Sequence, residues 1–132
     1  MKYLLDTNAC IRYLNDSSAS VRGRLEKIAP GDVGLCSVVK CELYYGAAKG
    51  QIRDKTIAAL DLFFETLPSL PFDDQAAAVY GAIRAELERR GTPIGANDLM
   101  IAAIALANGL TLVTHNSREF GRIKGLALDD WE

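Results

Sequence analysis

Three apolar residues, Tyr3, Leu4 and Leu5, follow one another without polar alternation and stop on a carboxylate, Asp6. A run of that kind reads as a central strand covered on both faces, the pattern of a parallel sheet sandwiched between helices. Thr7 and Asn8 then favour a turn and a helix start. In open α/β sheets the carboxyl end of a strand is where ligands and reactions are placed. An acid at that point directs attention to what the rest of the chain brings beside it.

The remaining pattern alternates helix and strand. Residues 7–14 predict a short helix with Ile11 and Leu14 on one side, and Val21, Leu25 and Ile28 repeat at helical spacing until Pro30-Gly31. Val33-Gly34-Leu35-Cys36 is a second short apolar strand. Ser37 is placed to cap the following helix, whose inner side carries Val38, Val39, Leu43, Ala47 and Ala48. Residues 52–66 predict another helix. A third strand within 67–72 belongs at a sheet edge, because Pro68 and Pro71 cannot donate to a ladder. Asp73 or Asp74 starts an amphipathic helix that Gly91 and Pro93 stop. Asn97-Asp98 opens a helix, apolar nearly all round, over 99–108, and Gly109 ends it. A fourth strand over 111–114, a polar turn at His115-Asn116-Ser117 and an edge strand over 126–128 complete the chain. Such alternation predicts right-handed βαβ units, one domain over residues 1–132 and a three-layer α/β/α sandwich.

In that topology five polar residues share one rim. Asp6 ends the first strand, Glu42 lies just beyond the second, Asp98 begins the helix leading into the fourth, and Asn116 and Glu119 follow it. Singly, each acid has an ordinary explanation: Asp6 and Asp98 as helix caps, Glu42 as a solvated helix residue. Together they would repel. Two carboxylates about 5 Å apart repel by roughly 3 kcal/mol at an effective dielectric near 20. A magnesium or manganese ion, held by one or two carboxylates and waters, reverses that sign. The chemistry that such a site offers is hydrolysis of a phosphodiester.

The segments that carry these residues resemble the PIN domain, and within it the VapC toxins of bacterial toxin–antitoxin pairs. They are Leu4-Leu5-Asp6-Thr7-Asn8, Ser37-Val38-Val39-Lys40-Cys41-Glu42-Leu43-Tyr44-Tyr45-Gly46-Ala47, Asn97-Asp98-Leu99-Met100-Ile101-Ala102-Ala103 and Leu112-Val113-Thr114-His115-Asn116-Ser117-Arg118-Glu119-Phe120. The resemblance implies a mostly parallel five-stranded sheet of order 3-2-1-4-5. It places the family's metal-binding acids on Asp6 and Asp98, its third acid on Glu42, and a hydroxyl beside the site on Thr114. The fourth position, often Asp in the family, is Asn116 here, which raises the question of whether Glu119 takes over part of its role. The implied protein is an Mg²⁺-dependent endoribonuclease toxin, with Mn²⁺ substituting, held by a VapB-type antitoxin and forming homodimers and larger assemblies with that partner. The ending Arg118-Glu119-Phe120-Gly121-Arg122-Ile123-Lys124-Gly125-Leu126, closing on Asp129-Asp130-Trp131, looks most like the enterobacterial-type members. Those cut initiator tRNA in the anticodon loop, and the resemblance makes that RNA the expected substrate.

Charge is uninformative about the partner. The chain has fifteen basic and seventeen acidic residues, net −2, but four of the acids are assigned to one pocket. Arg118, Arg122 and Lys124 are candidates to grip RNA phosphates, with a solvated charged turn as the alternative. Arg12, Lys40 and Lys49 are weaker ones. Tyr44 or Tyr45 is open to stacking on bases or to core packing, and Trp131 to core, dimer seam or partner groove. His115 is the only histidine, which excludes a two-histidine ribonuclease mechanism. Cys10, Cys36 and Cys41 lack zinc-site spacing and read as reduced thiols. The apolar run at 99–107 is too short to span a bilayer, and the opening residues lack a signal-peptide pattern, so the cytoplasm is expected. Three rivals stand beside the nuclease. A Mg-dependent phosphatase of the haloacid-dehalogenase type needs a second Asp where Asn8 stands. A non-catalytic PIN-like scaffold that binds RNA or protein fits the same residues. A receiver module would want paired acids near the first strand, and no phosphate-loop or dinucleotide glycine pattern occurs.

Overall fold

The computed structural model describes residues Met1–Glu132. Its elements follow in the order β1 (Tyr3–Leu5), α1 (Thr7–Leu14), α2 (Ala19–Lys27), β2 (Val33–Cys36), α3 (Ser37–Ala48), α4 (Arg53–Phe64), β3 (Ser69–Leu70), α5 (Asp74–Arg89), α6 (Ala96–Ala107), β4 (Thr111–Val113), α7 (Ser117–Phe120) and β5 (Leu128–Asp129). The five strands form one sheet of order β3-β2-β1-β4-β5, with every neighbouring pair parallel. This is the expected α/β sandwich, and β1 is its centre.

The register explains where the acids go. Leu5 pairs with Val113, so β1 and β4 finish level, and the Asp6 amide donates to the Val113 carbonyl at 3.1 Å. Leu4, Leu5, Leu35 and Leu112 are wholly buried, as an unalternated strand requires. Local chemistry starts the helices on this platform. Asp6 caps α1 through the Ala9 amide at 2.8 Å, Ser18 caps α2 through Val21 at 3.2 Å, and Asp73 caps α5 through Ala76 at 2.9 Å. The apolar helix α6 buries Leu99 and the whole run from Ile101 to Ala105. Gly109, at φ +65°, lets the chain turn out of it: the Leu110 amide reaches the Ala105 carbonyl at 2.9 Å.

Trp131 resolves to core. It is 2% exposed, stands edge-on to Tyr3 with ring centroids 5.3 Å apart, and donates from Nε1 to Asp129 at 3.0 Å. Its indole thus fastens the end of the chain to the first strand.

Several local expectations shift. Ile11 is 39% exposed, and Ala9 and Cys10 are the buried residues of α1. The capped first turn sets the rotation of α1, so the residues beside the cap meet the sheet and Ile11 faces outward. Ser37 is the first helical residue and Cys36 holds the cap position; likewise α6 begins at Ala96 behind Gly95, so Asp98 stands inside its first turn. Ala48 is exposed, β3 shrinks to Ser69–Leu70 between its prolines, and the last strand is Leu128–Asp129 rather than 126–128. Of the thiols, Cys10 and Cys36 are buried and Cys41 is exposed, all unpaired.

Burial sets the expected response to truncation. Leu112→Ala, at a site with 0% exposure, should lower unfolding free energy by about 2–5 kcal/mol, whereas Leu62→Ala, at 68% exposure, should change it by less than about 0.5 kcal/mol. Urea denaturation of both variants checks this, and similar losses in the two would contradict the assignment of the core.

Candidate active site

Asp6 is fixed twice. Its backbone closes the β1–β4 ladder, and its Oδ1 accepts the Ala9 amide, so the cap and the rim acid are one residue. It is 5% exposed. Burial raises its pKa, the Thr114 hydroxyl and the Ala9 amide pull it back down, and the charges of Glu132 and Glu42 push it up again.

Glu42 reaches the same rim from α3. Its Oε1 accepts the Thr7 hydroxyl at 2.6 Å, which ties the first turn of α1 to the middle of α3. Thr7 escaped the reading of the sequence, where it served only as a turn former. Its position directly after Asp6, with a hydroxyl at the head of a helix, was the available signal.

Asp98 stands in the first turn of α6, half-buried. Its pKa is pushed up to about 6, first by burial and then by the charges of Glu42, Glu119 and Asp6. Those three are the other acids of the rim, so all four share one electrostatic neighbourhood, and no cation is among the groups that set it. An open cleft of about 390 Å³ runs between Glu42 and the start of α6, lined by Gly95, Ala96, Asn97 and Asp98. The amides of that first helical turn face outward with positive polarity, which suits an anion.

Asn116 and Glu119 act as a pair. The Asn116 side-chain amide donates to Glu119 Oε2 at 3.1 Å, and its backbone amide donates to the Thr114 hydroxyl at 3.0 Å. A carboxylate at 116 would repel Glu119; an amide there orients it. Thr114, 1% exposed, therefore links Asp6 to the Asn116–Glu119 turn.

The donor set fits a hard divalent cation. It offers several carboxylate oxygens beside a solvent-open cleft, and Asp98 is raised first by burial and then by like charges that such an ion would offset. The ligand atoms of these acids do not all lie within 4.8 Å of one another, however. The set of three side chains whose ligand atoms all lie within 4.8 Å of one another is His115, Asp130 and Glu132, all exposed.

The candidate phosphate-gripping residues scatter. Arg118 is exposed on α7. Arg122 is turned to the Pro93 carbonyl at 3.2 Å, and its own carbonyl accepts Arg90 at 2.6 Å, so it braces the loop before α6. Lys124 lies toward α5, where its charge helps to lower the Glu86 pKa after the larger effect of Arg89. Tyr44 packs edge-on to Phe64 at 5.2 Å and donates to Asp61 at 2.5 Å; Tyr45 is 68% exposed.

On the other side of Glu42 a groove of about 600 Å³ opens between α1, α3 and α4. Ile11, Leu14, Leu43, Ile52 and Leu60 give it an apolar floor, and Thr7 and Glu42 border it. This is where the outward-facing Ile11 lies.

Comparison with known proteins agrees with the geometry. Residues 3–126 match the family described as PIN domain. The chain is 43% identical to the tRNA(fMet)-specific endonuclease VapC of Shigella flexneri over 131 residues, covering 99% of this chain and 98% of that one. It is 39% identical to ribonuclease VapC2 of Rickettsia felis, covering 100% and 99%. Among solved structures it superposes on DNA-bound VapBC from Salmonella typhimurium with a TM-score of 0.94 at 40% identity, covering 100% of this chain and 99% of that one. With VapBC2 from Rickettsia felis, bound to a promoter DNA fragment, the TM-score is 0.93 at 38% identity and both chains are covered in full. With the sheet order, the acids at the ends of β1 and β4, and this likeness along the whole length, the chain belongs to the PIN domain family, in its VapC branch.

Proposed function

We propose that this chain, acting as one domain over residues 1–132, is a Mg²⁺-dependent endoribonuclease toxin, with Mn²⁺ able to substitute. The observation that carries the reading is the Asp98 carboxyl, pushed up to about 6 by burial and by Glu42, Glu119 and Asp6 together. Four acids gathered beside an open cleft suit a small hard cation. The names of the VapC relatives support RNA as the substrate, and the tRNA(fMet)-specific relatives support initiator tRNA; the cut we propose falls in its anticodon loop.

Asp6 and Asp98 would hold the ion. When bound, it supplies a water of lowered pKa and offsets charge that builds on the phosphoryl oxygens. The side chains around it have separable tasks. Glu42, kept in place by the Thr7 hydroxyl, accepts a proton from the attacking water and aims it across the cleft. The outward amides at the head of α6 receive a non-bridging phosphate oxygen. Thr114 and Asn116 hold Asp6 and Glu119 in register with each other. Arg118, exposed on α7, contributes to holding the RNA backbone.

The groove between α1, α3 and α4 takes a segment of a VapB-type antitoxin. Its apolar floor is solvent-open in the free chain, and the solved neighbours are VapBC complexes. A segment lying there with a basic side chain at one end would meet Glu42. The toxin works as a homodimer that builds larger assemblies with its antitoxin. No helix is long and apolar enough to cross a membrane, which suits action in the cytoplasm, where RNA is made.

Three groups of measurements test this reading. Asp6→Asn and Asp98→Asn should each abolish cleavage of a loop-containing RNA, as should a chelator, while Glu42→Gln should slow it by about 10²–10⁴-fold; full cleavage by either aspartate variant would refute the assignment. RNA 5′-end mapping after induction should then show one dominant cut in initiator tRNA, and scattered cuts would remove that substrate.

The second concerns pH. Asp98 is harder to ionise folded than unfolded, so the metal-free protein binds more protons when folded and loses stability as pH rises from about 4 through about 6. Calorimetry in chelator should show Tm falling over that window by more in the wild type than in Asp98→Asn; an equal fall in both would contradict it. The third concerns the partner. Ile52→Asp, at a site 63% exposed in the groove, should weaken antitoxin binding at least about tenfold and leave RNA cleavage intact. Unchanged antitoxin affinity, measured by calorimetric titration, would move the partner off this groove.

A further inference from the structure

Beside the acids lies an ionic group that the mechanism above leaves unused. Trp131, buried against Tyr3, also offers its carbonyl to the Ser20 hydroxyl at 2.5 Å, so the residue after it is held in place. That residue is Glu132. Its side chain, 20% exposed, stands 3.4 Å from Nε of Arg12 and 4.0 Å from Nδ1 of His115. His115 is also 2.9 Å from Asp130.

The location gives this group meaning. His115 directly follows Thr114, whose hydroxyl sits beside Asp6, and Arg12 stands on the helix that Asp6 caps. The Glu132 charge is close enough to be felt at Asp6 itself. Thus a guanidinium and an imidazole border the acid cluster on the side of β1 and α1; Glu132 faces both, and Asp130 is the imidazole's nearer partner. A carboxylate and a phosphate present the same kind of oxygens to the guanidinium fork. Arg12 and His115 stay open to solvent, with side chains 45% and 63% exposed, so another anion can reach them without unfolding anything. Such part-exposed ion pairs are weak enough to exchange.

We propose that Arg12 and His115 form a phosphate-contacting pair for the RNA strand beside the scissile bond, and that Glu132 occupies this pair in the free protein as an internal stand-in for that phosphate. The proposal rests on the ribonuclease reading. It assigns Arg12 and His115 to substrate binding, and Glu132 to limiting that binding until RNA displaces it.

The test is a double-variant cycle on the full chain. Polarisation of a labelled RNA hairpin with an unpaired loop is measured in chelator, for wild type, Arg12→Gln, Glu132→Gln and the pair together. Cleavage is followed in parallel with Mg²⁺. Glu132→Gln should tighten RNA binding about two- to fivefold and lower KM with kcat unchanged. Arg12→Gln should weaken binding by a similar factor and reduce the slope of log Kd against log salt by about 0.7, as for one lost contact to a single strand. In the Arg12→Gln background, Glu132→Gln should gain little. An equal gain in both backgrounds would mean a general effect of charge and would overturn the proposal, as would no gain in either. If wild type cuts RNA while these variants match it, only the phosphate pair falls. If wild type neither binds nor cuts RNA, the ribonuclease reading falls and takes the pair with it.

Discussion

Like charges brought close together in a half-buried cleft are the constraint on which this molecule turns. Burial first, and then three neighbouring carboxylates, push the Asp98 pKa up to about 6. A chain selected for stability alone would separate those groups or place a lysine among them. Here the fold holds them together, with an apolar core behind and an open cleft in front. The arrangement gains its use from what it can attract, a small hard cation on one side and a phosphate on the other.

The scaffold achieves this by strand order. Two parallel strands, β1 and β4, end level at the sheet centre, and each passes straight into a polar turn. One turn gives Asp6, which is both the last pairing residue of its strand and the cap of its helix. The other gives Thr114, Asn116 and Glu119. Helices α3 and α6 add Glu42 and Asp98 from opposite sides. Because Leu5 and Val113 pair directly, a slip of one residue would turn Asp6 to the other face of the sheet and disperse the cluster. Packing of the buried strands therefore protects the chemistry, although none of their side chains takes part in it.

Much of this was legible in the sequence. The unalternated strand at Tyr3–Leu5, the acid ending it and the turn chemistry around 97–98 and 115–117 locate the rim, and parallel topology follows from the alternation of elements. What escaped depends on rotation and on contacts distant in sequence. Periodicity put Ile11 and Leu14 on one side of α1 without saying what that side meets; it borders the groove. The Thr7–Glu42 hydrogen bond joins residues that no local pattern relates. The approach of Glu132 to Arg12 and His115 depends on where Trp131 packs, and a lone tryptophan near the end of a chain does not announce its pocket. The pairing of Asn116 with Glu119 was visible only as a question: an amide where relatives often carry an acid. The geometry answers it through the repulsion that a second carboxylate would bring.

The central claim is that Asp6 and Asp98 share one cation, with Glu42 and Glu119 around it. Crystals soaked in Mn²⁺ and measured for anomalous scattering test it most directly. The account predicts a peak bonded to oxygens of both Asp6 and Asp98, at about 2.0–2.3 Å. A peak only at His115, Asp130 and Glu132, or none at the rim, would contradict it.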